Sequence, residues 1–196
     1  MDAMAELCAE QGYEATKIAD IVRRAGVARK TLYDNFDGKE EVFLAAFDSA
    51  VEEVAGRIKE AGEEAGAEWE DRVAAGLRAF LAYVAEKPAA ARMCLIEAMS
   101  ATPAASARYD AAMGRFVELL GRNAPADSGL PDTIEETLVG GVAWILHQQI
   151  RRGEAEQALD LMPQLLDFIL SPYHGVAKKN AAPGGESDST VADSNG

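Results

Sequence analysis

Residues Thr16–Tyr33 read TKIADIVRRAGVARKTLY, and this stretch decides the fold. The part before Gly26 has apolar residues at helical spacing, and these residues are predicted to be buried. They are Ile18, Ile21, Val22 and Ala25. Glycine adopts the positive φ that a tight turn requires. The stretch therefore predicts two short helices on either side of a turn at Gly26, which is a helix-turn-helix arrangement.

The helix after Gly26 has one apolar side and one polar side. Ala28, Leu32 and Phe36 are four residues apart, so they are predicted to face inward. The outward side chains are then Arg29 on the flank with Lys30, Thr31, Tyr33 and Asp34. Arginine and lysine donate to guanine O6 and N7 in the major groove, and hydroxyl groups reach bases or phosphates. This polar side therefore favours contact with double-stranded DNA.

Charge is unevenly distributed along the chain, whose formal net charge is -14. Residues 16–39 contain six basic and three acidic side chains, so this window carries +3 and the other residues together carry -17. A basic patch on an acidic body can approach phosphates in one orientation, because the body repels DNA elsewhere. The net acidity therefore does not exclude DNA binding.

The helix boundaries around this motif are predicted from caps and glycines. The first helix is expected to end at Gly12, a suitable left-handed cap. Thr16 is expected to cap the second helix with its hydroxyl group. Asp37 is expected to cap a fourth helix that extends to about Ala61 and carries a long apolar stripe.

The rest of the chain also shows helical spacing, with strand signals nearly absent. Lys87-Pro88 and Thr102-Pro103 each predict the end of one helix and the start of the next. Pro163 is expected to kink the last helix or to mark its start. From about residue 174 the chain is polar and lacks aromatic residues, which predicts a disordered tail over residues 174–196.

Several classes of protein are disfavoured. No apolar run approaches the roughly 18 residues that a membrane span needs, and the first residues do not read as a signal peptide. Cys8 and Cys94 lack metal-ligand spacing, so we expect a reduced, cytoplasmic protein without a metal or cofactor. Neither nucleophile–base spacing nor a phosphate-binding loop is found, so an enzyme is not predicted.

About a dozen positions of the N-terminal region together resemble the TetR/AcrR-type family of transcriptional regulators. They are Gly12-Tyr13, Thr16, Asp20-Ile21, Ala25-Gly26-Val27, Thr31-Leu32-Tyr33, Phe36 and Lys39-Glu40. The resemblance implies an all-α fold with an N-terminal three-helix helix-turn-helix DNA-binding domain over residues 1–47. It also implies a larger C-terminal helical ligand-binding and dimerisation domain over residues 48–173.

The resemblance also implies roles for individual residues. Family positions that read base edges correspond to Ala28, Arg29, Lys30 and Thr31. Family positions that contact phosphates correspond to Thr16, Tyr33 and Lys39, and Lys17 completes the predicted DNA-binding set. Lys39 also lies in the first turn of a helix, whose positive end favours an anion.

This chain departs from the family pattern in three places. Ala28 occupies a position where a serine cap is frequent, which weakens that helix start by roughly 1 kcal/mol. Asn35 occupies a position where histidine is frequent. The chain also begins inside the first helix. Either a further segment lies upstream, which we expect, or this protein lacks the first turns of that helix and their phosphate contacts.

In this family the C-terminal region binds a small inducer and holds a homodimer together. The candidate pocket residues are Phe80, Tyr83, Met93, Met99, Tyr109, Met113, Phe116, Trp144 and His147. Methionine and aromatic residues at helical spacing are more often ordinary core, and a lone histidine is usually a hydrogen-bonded polar residue. The inducer is expected to be mostly apolar or aromatic.

The helix over about residues 131–153 and the helix that ends near Leu170 are the dimerisation candidates. Gly140 and Gly141 lie inside the first of these and cost roughly 1 kcal/mol each against alanine. Close approach of helices across a two-fold axis would explain them, and so would close packing within one subunit.

The predicted function is a homodimeric repressor that leaves its DNA operator when a small ligand binds, with the fourth helix carrying the shift. One alternative is a helical ligand-binding or protein-interaction module that has lost DNA binding, motivated by the short first helix and the acidic balance. An all-helical enzyme is the third reading, for which no catalytic arrangement is found.

Overall fold

The computed structural model describes residues 1–122, 124–125 and 129–181, in which helices are joined by short turns and no strand occurs. The helices are α1 (Asp2–Ala15), α2 (Ile18–Ala25), α3 (Arg29–Tyr33), α4 (Lys39–Glu64), α5 (Trp69–Glu86), α6 (Pro88–Arg92), α7 (Ala98–Ala101), α8 (Pro103–Gly121), α9 (Ile134–Arg151) and α10 (Met162–Ala181). A π turn (Met93–Glu97) joins α6 to α7, and a 3-10 helix (Ala155–Leu161) precedes α10. The predicted all-α fold is confirmed.

A first apolar core holds α1, α2 and α3 against the N-terminal half of α4. Phe43 and Phe47 of α4 are buried at its centre, and the Tyr13 ring meets the Phe43 ring edge-on with centroids 5.0 Å apart. Ala98 and Ala105 belong to the same core, although they lie in α7 and α8. The helix-turn-helix region therefore packs directly on the C-terminal region.

Gly12 interrupts α1 as the sequence predicts, with φ +80° and ψ 164°, and one further turn leads to Ala15. The prediction that Thr16 caps α2 is wrong, because Lys17 is the N-cap and no side chain bonds there. The Thr16 hydroxyl instead donates to the Gly12 carbonyl at 2.8 Å. It therefore stabilises the interruption in α1 rather than the start of α2.

Three other local predictions are wrong. Asp37 does not cap α4, whose N-cap is Gly38; the Glu41 carboxylate accepts a hydrogen bond from the Asp37 backbone N–H at 2.5 Å. Ala28 is exposed because it is the extended N-cap of α3, where helical spacing does not yet apply. Ala25 is exposed because it is the last residue of α2, at the edge of the core.

Helix α4 runs unbroken from the first core into the C-terminal region. Its predicted apolar stripe is confirmed: Phe43, Phe47 and Val54 are buried, and Ile58 is half-buried. Glu52 accepts a hydrogen bond from Arg115 of α8 at 3.0 Å. Such exposed ion pairs contribute little individually, so the apolar stripe determines where α4 lies.

A second core is formed by α5, α6, α9, α10 and the 3-10 helix. Leu81, Leu146 and Leu165 are fully buried in it. A smaller cluster of Ala50, Val54 and Tyr83 joins α4 to α5 between the two cores. In the described part of the chain, no helix combines the length and apolarity that crossing a membrane requires.

The proline-marked helix starts are confirmed. Pro88 and Pro103 begin α6 and α8, where a missing N–H costs nothing because the first amides of a helix have no internal partner. Thr102 caps α8 by accepting a hydrogen bond from the Ala105 N–H at 3.1 Å. Pro163 is the second residue of α10, so it marks the start of that helix.

The predicted disordered tail begins too early. Helix α10 continues to Ala181, so the prediction is wrong for residues 174–181. Ile169 and Tyr173 are buried in the second core, and this packing carries the helix past the polar boundary in the sequence. Residues 182–196 lie outside the described residues.

The two adjacent glycines of α9 have different surroundings. A methyl group at Gly141 would lie 2.7 Å from Cζ of Phe168, whereas one at Gly140 would meet nothing within 4 Å. Packing within one subunit therefore explains why residue 141 is a glycine, but it does not explain why residue 140 is one.

We expect Gly140→Ala to raise the free energy of unfolding by about 1 kcal/mol, because alanine is the better helix former. Gly141→Ala should be at least about 1 kcal/mol less stable than Gly140→Ala, because the Phe168 ring must move. Urea unfolding at one fixed protein concentration compares the pair. A loss of stability in Gly140→Ala would instead indicate that a second copy packs against this glycine.

Candidate nucleic-acid interface

The turn at Gly26 sets the direction of α3. Gly26 has φ +66°, in the left-handed region, and no atom lies within 4 Å of the position of an added methyl group. Glycine is therefore required here for its backbone conformation and not for space. The Val27 N–H donates back to the Val22 carbonyl at 3.2 Å, which fixes the angle between the two helices.

Helix α3 is held by one buried residue and presents the others to solvent. Leu32 is buried in the first core, and Phe36 packs partly against it. Arg29, Lys30, Thr31 and Tyr33 are all exposed. The structure therefore brings these four predicted DNA-binding residues together on one outward surface, with Ala28 exposed at its edge.

Side chains on this surface make only weak contacts with each other. The Arg29 guanidinium lies 5.6 Å from the centre of the Tyr33 ring, and Lys30 pairs with Asp34 at 3.3 Å. Lys30 is 87% exposed and Asp34 is 56% exposed, so solvent screens this pair. Little free energy would therefore be lost if Arg29 and Lys30 left these contacts and bonded to a group on another molecule.

Lys39 lies at the junction of α1 and α4. Its ammonium group donates to the carbonyl of Tyr13 at 3.0 Å and of Glu14 at 3.4 Å, and lies 4.0 Å from the centre of the Tyr13 ring. An ammonium has three donors, so one remains for another acceptor. In the structure, Lys39 connects the start of α4 to the end of α1.

Thr16 and Lys17 take different positions relative to this surface. Thr16 is only 1% exposed, and its hydroxyl is already bonded to Gly12, so the structure does not bring it into the surface. Lys17 is exposed at the start of α2. The amide hydrogens in the first turn of α2 add a positive partial charge beside it.

Arg24 has a structural role that the sequence pattern does not reveal. Its guanidinium pairs with Glu10 at 2.7 Å and with Glu6 at 2.9 Å, which joins α2 to α1. Hydrogen bonds to the two carboxylates raise the pKa of Arg24 above its usual range, and the same bonds lower the pKa of Glu10. Arg23 pairs with Asp20 at 2.6 Å within α2.

The C-terminal region contains a cavity of about 190 Å³ between α4, α5, α8 and α9. Its wall includes four of the nine predicted pocket residues: Phe80, Tyr83, Met113 and Phe116. Aliphatic residues that the sequence reading missed complete the wall; among them are Val54, Ile58, Leu77, Leu138 and Val142. Leucine, isoleucine and valine line most cores, so their type alone gave no signal.

Three cations also border this cavity: Lys59, Arg72 and Arg122. Lys59 and Arg122 are exposed and Arg72 is half-buried, so the cations lie where the cavity meets solvent. Cys94 is part of the wall, and burial raises the pKa of its thiol to about 12. The thiol is therefore neutral near pH 7 and acts as apolar surface.

The other five predicted pocket residues lie elsewhere. Met93 is buried in the first core, and Tyr109 packs against that core. Met99 and Trp144 are exposed, and Nδ1 of His147 bonds to the Leu95 carbonyl at 3.0 Å. Within the described residues, no group of three or more histidine, cysteine, aspartate or glutamate side chains is placed to hold a metal ion.

Comparisons with known proteins place this geometry in context. Residues 1–46 match the family model described as bacterial regulatory proteins, tetR family. The HTH-type transcriptional regulator YezE of Bacillus subtilis is 36% identical over 66 residues, which are 29% of this chain and 34% of that protein. The matched segment thus spans about a third of the length of this curated relative.

Two solved structures share the fold over most of the chain. The fatty acid degradation regulator FadR from Bacillus halodurans superposes with a TM-score of 0.77 and 18% identity, covering 86% of this chain and 95% of that one. The regulator FadR from Bacillus subtilis, solved with stearoyl-CoA, gives a TM-score of 0.76 and 18% identity, covering 87% and 96%. Residues 1–46 therefore resemble the helix-turn-helix region of bacterial regulatory proteins of the tetR family, and most of the chain shares its fold with the two FadR structures.

Proposed function

We propose that this protein is a homodimeric transcriptional repressor that binds an operator in double-stranded DNA and leaves it when an apolar ligand enters the cavity. One observation carries the proposal: the exposed cationic helix α3 packs against the N-terminal half of α4, and the C-terminal half of α4 lines the apolar cavity. In this proposal residues 1–47 bind DNA, and residues 48–173 hold the ligand and the dimer interface. The protein would act in the cytoplasm, where bacterial DNA lies.

The DNA-binding part of the proposal rests on α3. Helix α3 is short, held by Leu32, and free of covering residues on its outward side. Its cations and hydroxyl groups suit base edges in the major groove, and we propose that Lys17, Tyr33 and Lys39 contact phosphates. A two-fold pair would place two such helices roughly 34–36 Å apart, or at a multiple of that spacing.

The dimer part of the proposal rests on α9 and α10. Trp144 of α9 is 62% exposed, and Phe168 of α10 is 38% exposed. A large aromatic residue in the open costs free energy unless a partner covers it, and tryptophan is enriched at interface hot spots. A second copy of this face would bury both rings.

We expect Trp144→Ala to weaken the dimer by roughly 30-fold or more, because a hot-spot tryptophan contributes about 2 kcal/mol or more. Sedimentation at several protein concentrations measures the dissociation constant. Met99→Ala is the control, because Met99 is an apolar residue on α7 that is 51% exposed. Equal dissociation constants for the two variants would place the interface elsewhere.

The ligand part of the proposal rests on the cavity wall. The wall is apolar apart from a border of three cations and one acid, Glu63, whose carboxylate lies 3.7 Å from Lys59, so an elongated apolar molecule with an anionic end fits both the wall and the net positive border. The structure of FadR from Bacillus subtilis was solved with stearoyl-CoA, which has this chemistry. We therefore propose a long-chain acyl compound as the inducer class.

The test is a selection of genomic DNA fragments with the full chain, followed by sequencing. The proposal predicts that recovered fragments share a palindromic site and that stearoyl-CoA releases it. If the recovered fragments share no common site, the proposed repressor function is refuted. That result would favour the alternative of a helical ligand-binding module without DNA binding. If stearoyl-CoA, free fatty acids and aromatic acids all fail to release the protein from the selected site, the proposed ligand class is refuted. The proposed DNA-binding role would then still stand.

A further inference from the structure

The π turn Met93–Glu97 contacts three parts of the molecule at once. The Ala98 N–H donates to the Met93 carbonyl, five residues back, so the helix widens here by one residue. Such turns are rare and are frequently found at functional sites. The widened turn lies between the cavity, helix α9 and helix α1.

The first two contacts are with the cavity and with α9. Cys94 and Leu95 form part of the cavity wall. The Leu95 carbonyl lies 3.0 Å from Nδ1 of His147 in α9. A carbonyl only accepts hydrogen bonds, so Nδ1 carries the proton and donates. The turn is therefore part of the cavity wall and is bonded directly to α9.

The third contact is with α1 at its interruption. Glu97, the last residue of the turn, accepts a hydrogen bond at Oε2 from the Tyr13 backbone N–H at 3.0 Å. Because Gly12 leaves the helical conformation, this N–H has lost its partner within α1, and the Glu97 carboxylate replaces it.

The same segment of α1 is bonded to the DNA-binding surface from the other side. The Tyr13 carbonyl accepts a hydrogen bond from Lys39 at 3.0 Å, and the Gly12 carbonyl accepts one from Thr16 at 2.8 Å. Lys39 begins α4, and Thr16 precedes α2. A displacement of Tyr13 is therefore passed to both helices that support α3.

We propose that the π turn couples occupancy of the cavity to the position of the helix-turn-helix, and that Glu97 is the positioning residue of this coupling. The proposal rests on the proposed function and adds a second route beside α4. A filled cavity displaces Cys94 and Leu95, the turn shifts, and the Glu97–Tyr13 hydrogen bond lengthens or breaks. Small shifts of this kind are amplified where packed elements have two discrete arrangements.

The test measures the Tyr13 amide resonance by NMR in the full chain. Ala143→Leu fills the cavity from α9 without any ligand, because Ala143 lies in its wall. We expect Ala143→Leu to shift the Tyr13 resonance in the wild-type background. In the Glu97→Ala background the shift should disappear, and Glu97→Gln, which keeps an acceptor oxygen, should restore most of it. Asp110→Ala, an exposed acid on α8, should leave the response unchanged.

DNA affinity supplies the second readout. With a selected fragment, Ala143→Leu should weaken binding by roughly fivefold or more in the wild-type background and by much less with Glu97→Ala. An unshifted Tyr13 resonance would overturn the coupling, whether or not the protein binds DNA. Equal effects of Ala143→Leu in both backgrounds would also overturn it. Failure to select any DNA fragment refutes the repressor alone, because the resonance still decides the coupling.

Discussion

Replacing Arg29 and Lys30 together with alanine is expected to weaken binding to a selected operator by about 30- to 20,000-fold. Each side chain that bonds to a base edge contributes about 1–3 kcal/mol, and every 1.4 kcal/mol is about tenfold in affinity. Both side chains are exposed, and Leu32 rather than either of them anchors α3, so the fold should be unaffected. Fluorescence anisotropy with a labelled duplex measures the change.

The salt dependence separates two roles for these cations. If a side chain bonds to a base, its loss relaxes sequence preference at one position; if it bonds to a phosphate, its loss reduces the slope of log affinity against log salt by about 0.9. Arg78→Ala is the matched control, since it removes one exposed charge from α5. An unaltered affinity in the double variant would refute the role of α3 in DNA contact.

The helical order was predictable because it depends on local spacing. Phe43, Phe47 and Val54 recur at helical intervals, and their burial follows from this periodicity. Thr102 and Pro103 mark a helix start through backbone chemistry alone. These features need no knowledge of which elements pack together, so the sequence is sufficient for them.

The cavity was only partly predictable, since periodicity identifies an apolar face but not what that face meets. Met93 and Cys94 are neighbours in one turn and both contact the first core, yet only Cys94 also lines the cavity. Trp144 looked like a pocket residue because of its type, but its side of α9 is open.

The interruption of α1 shows that the partners of polar groups are equally hard to predict from the sequence. Gly12 predicts a break in the helix, and the structure shows the interruption of α1 at this residue. The acceptor for the freed Tyr13 N–H is Glu97, which is 84 residues away. No local pattern specifies such a partner, and the π turn that positions it has no signature in side-chain spacing. Long-range hydrogen bonds of this kind become visible only with the fold.

Phe43→Ala is expected to lower the free energy of unfolding of the whole chain by about 3–5 kcal/mol. Phe43 is fully buried and packs edge-on against Tyr13, so truncation leaves a cavity in addition to the lost transfer free energy. For a chain of this size the melting temperature should fall by roughly 6–20 °C. Circular dichroism at a fixed protein concentration follows the transition.

The shape of that transition tests how the two regions are joined. The core around Phe43 includes Ala98 and Ala105, and α4 continues from it into the second region without a break. We therefore expect a single transition that moves as a whole. Met99→Ala, on the exposed side of α7, should change stability by no more than about 0.5 kcal/mol. An early partial transition with the rest of the curve in place would instead show that residues 1–47 unfold independently, and that a ligand signal reaches them across a loosely coupled boundary.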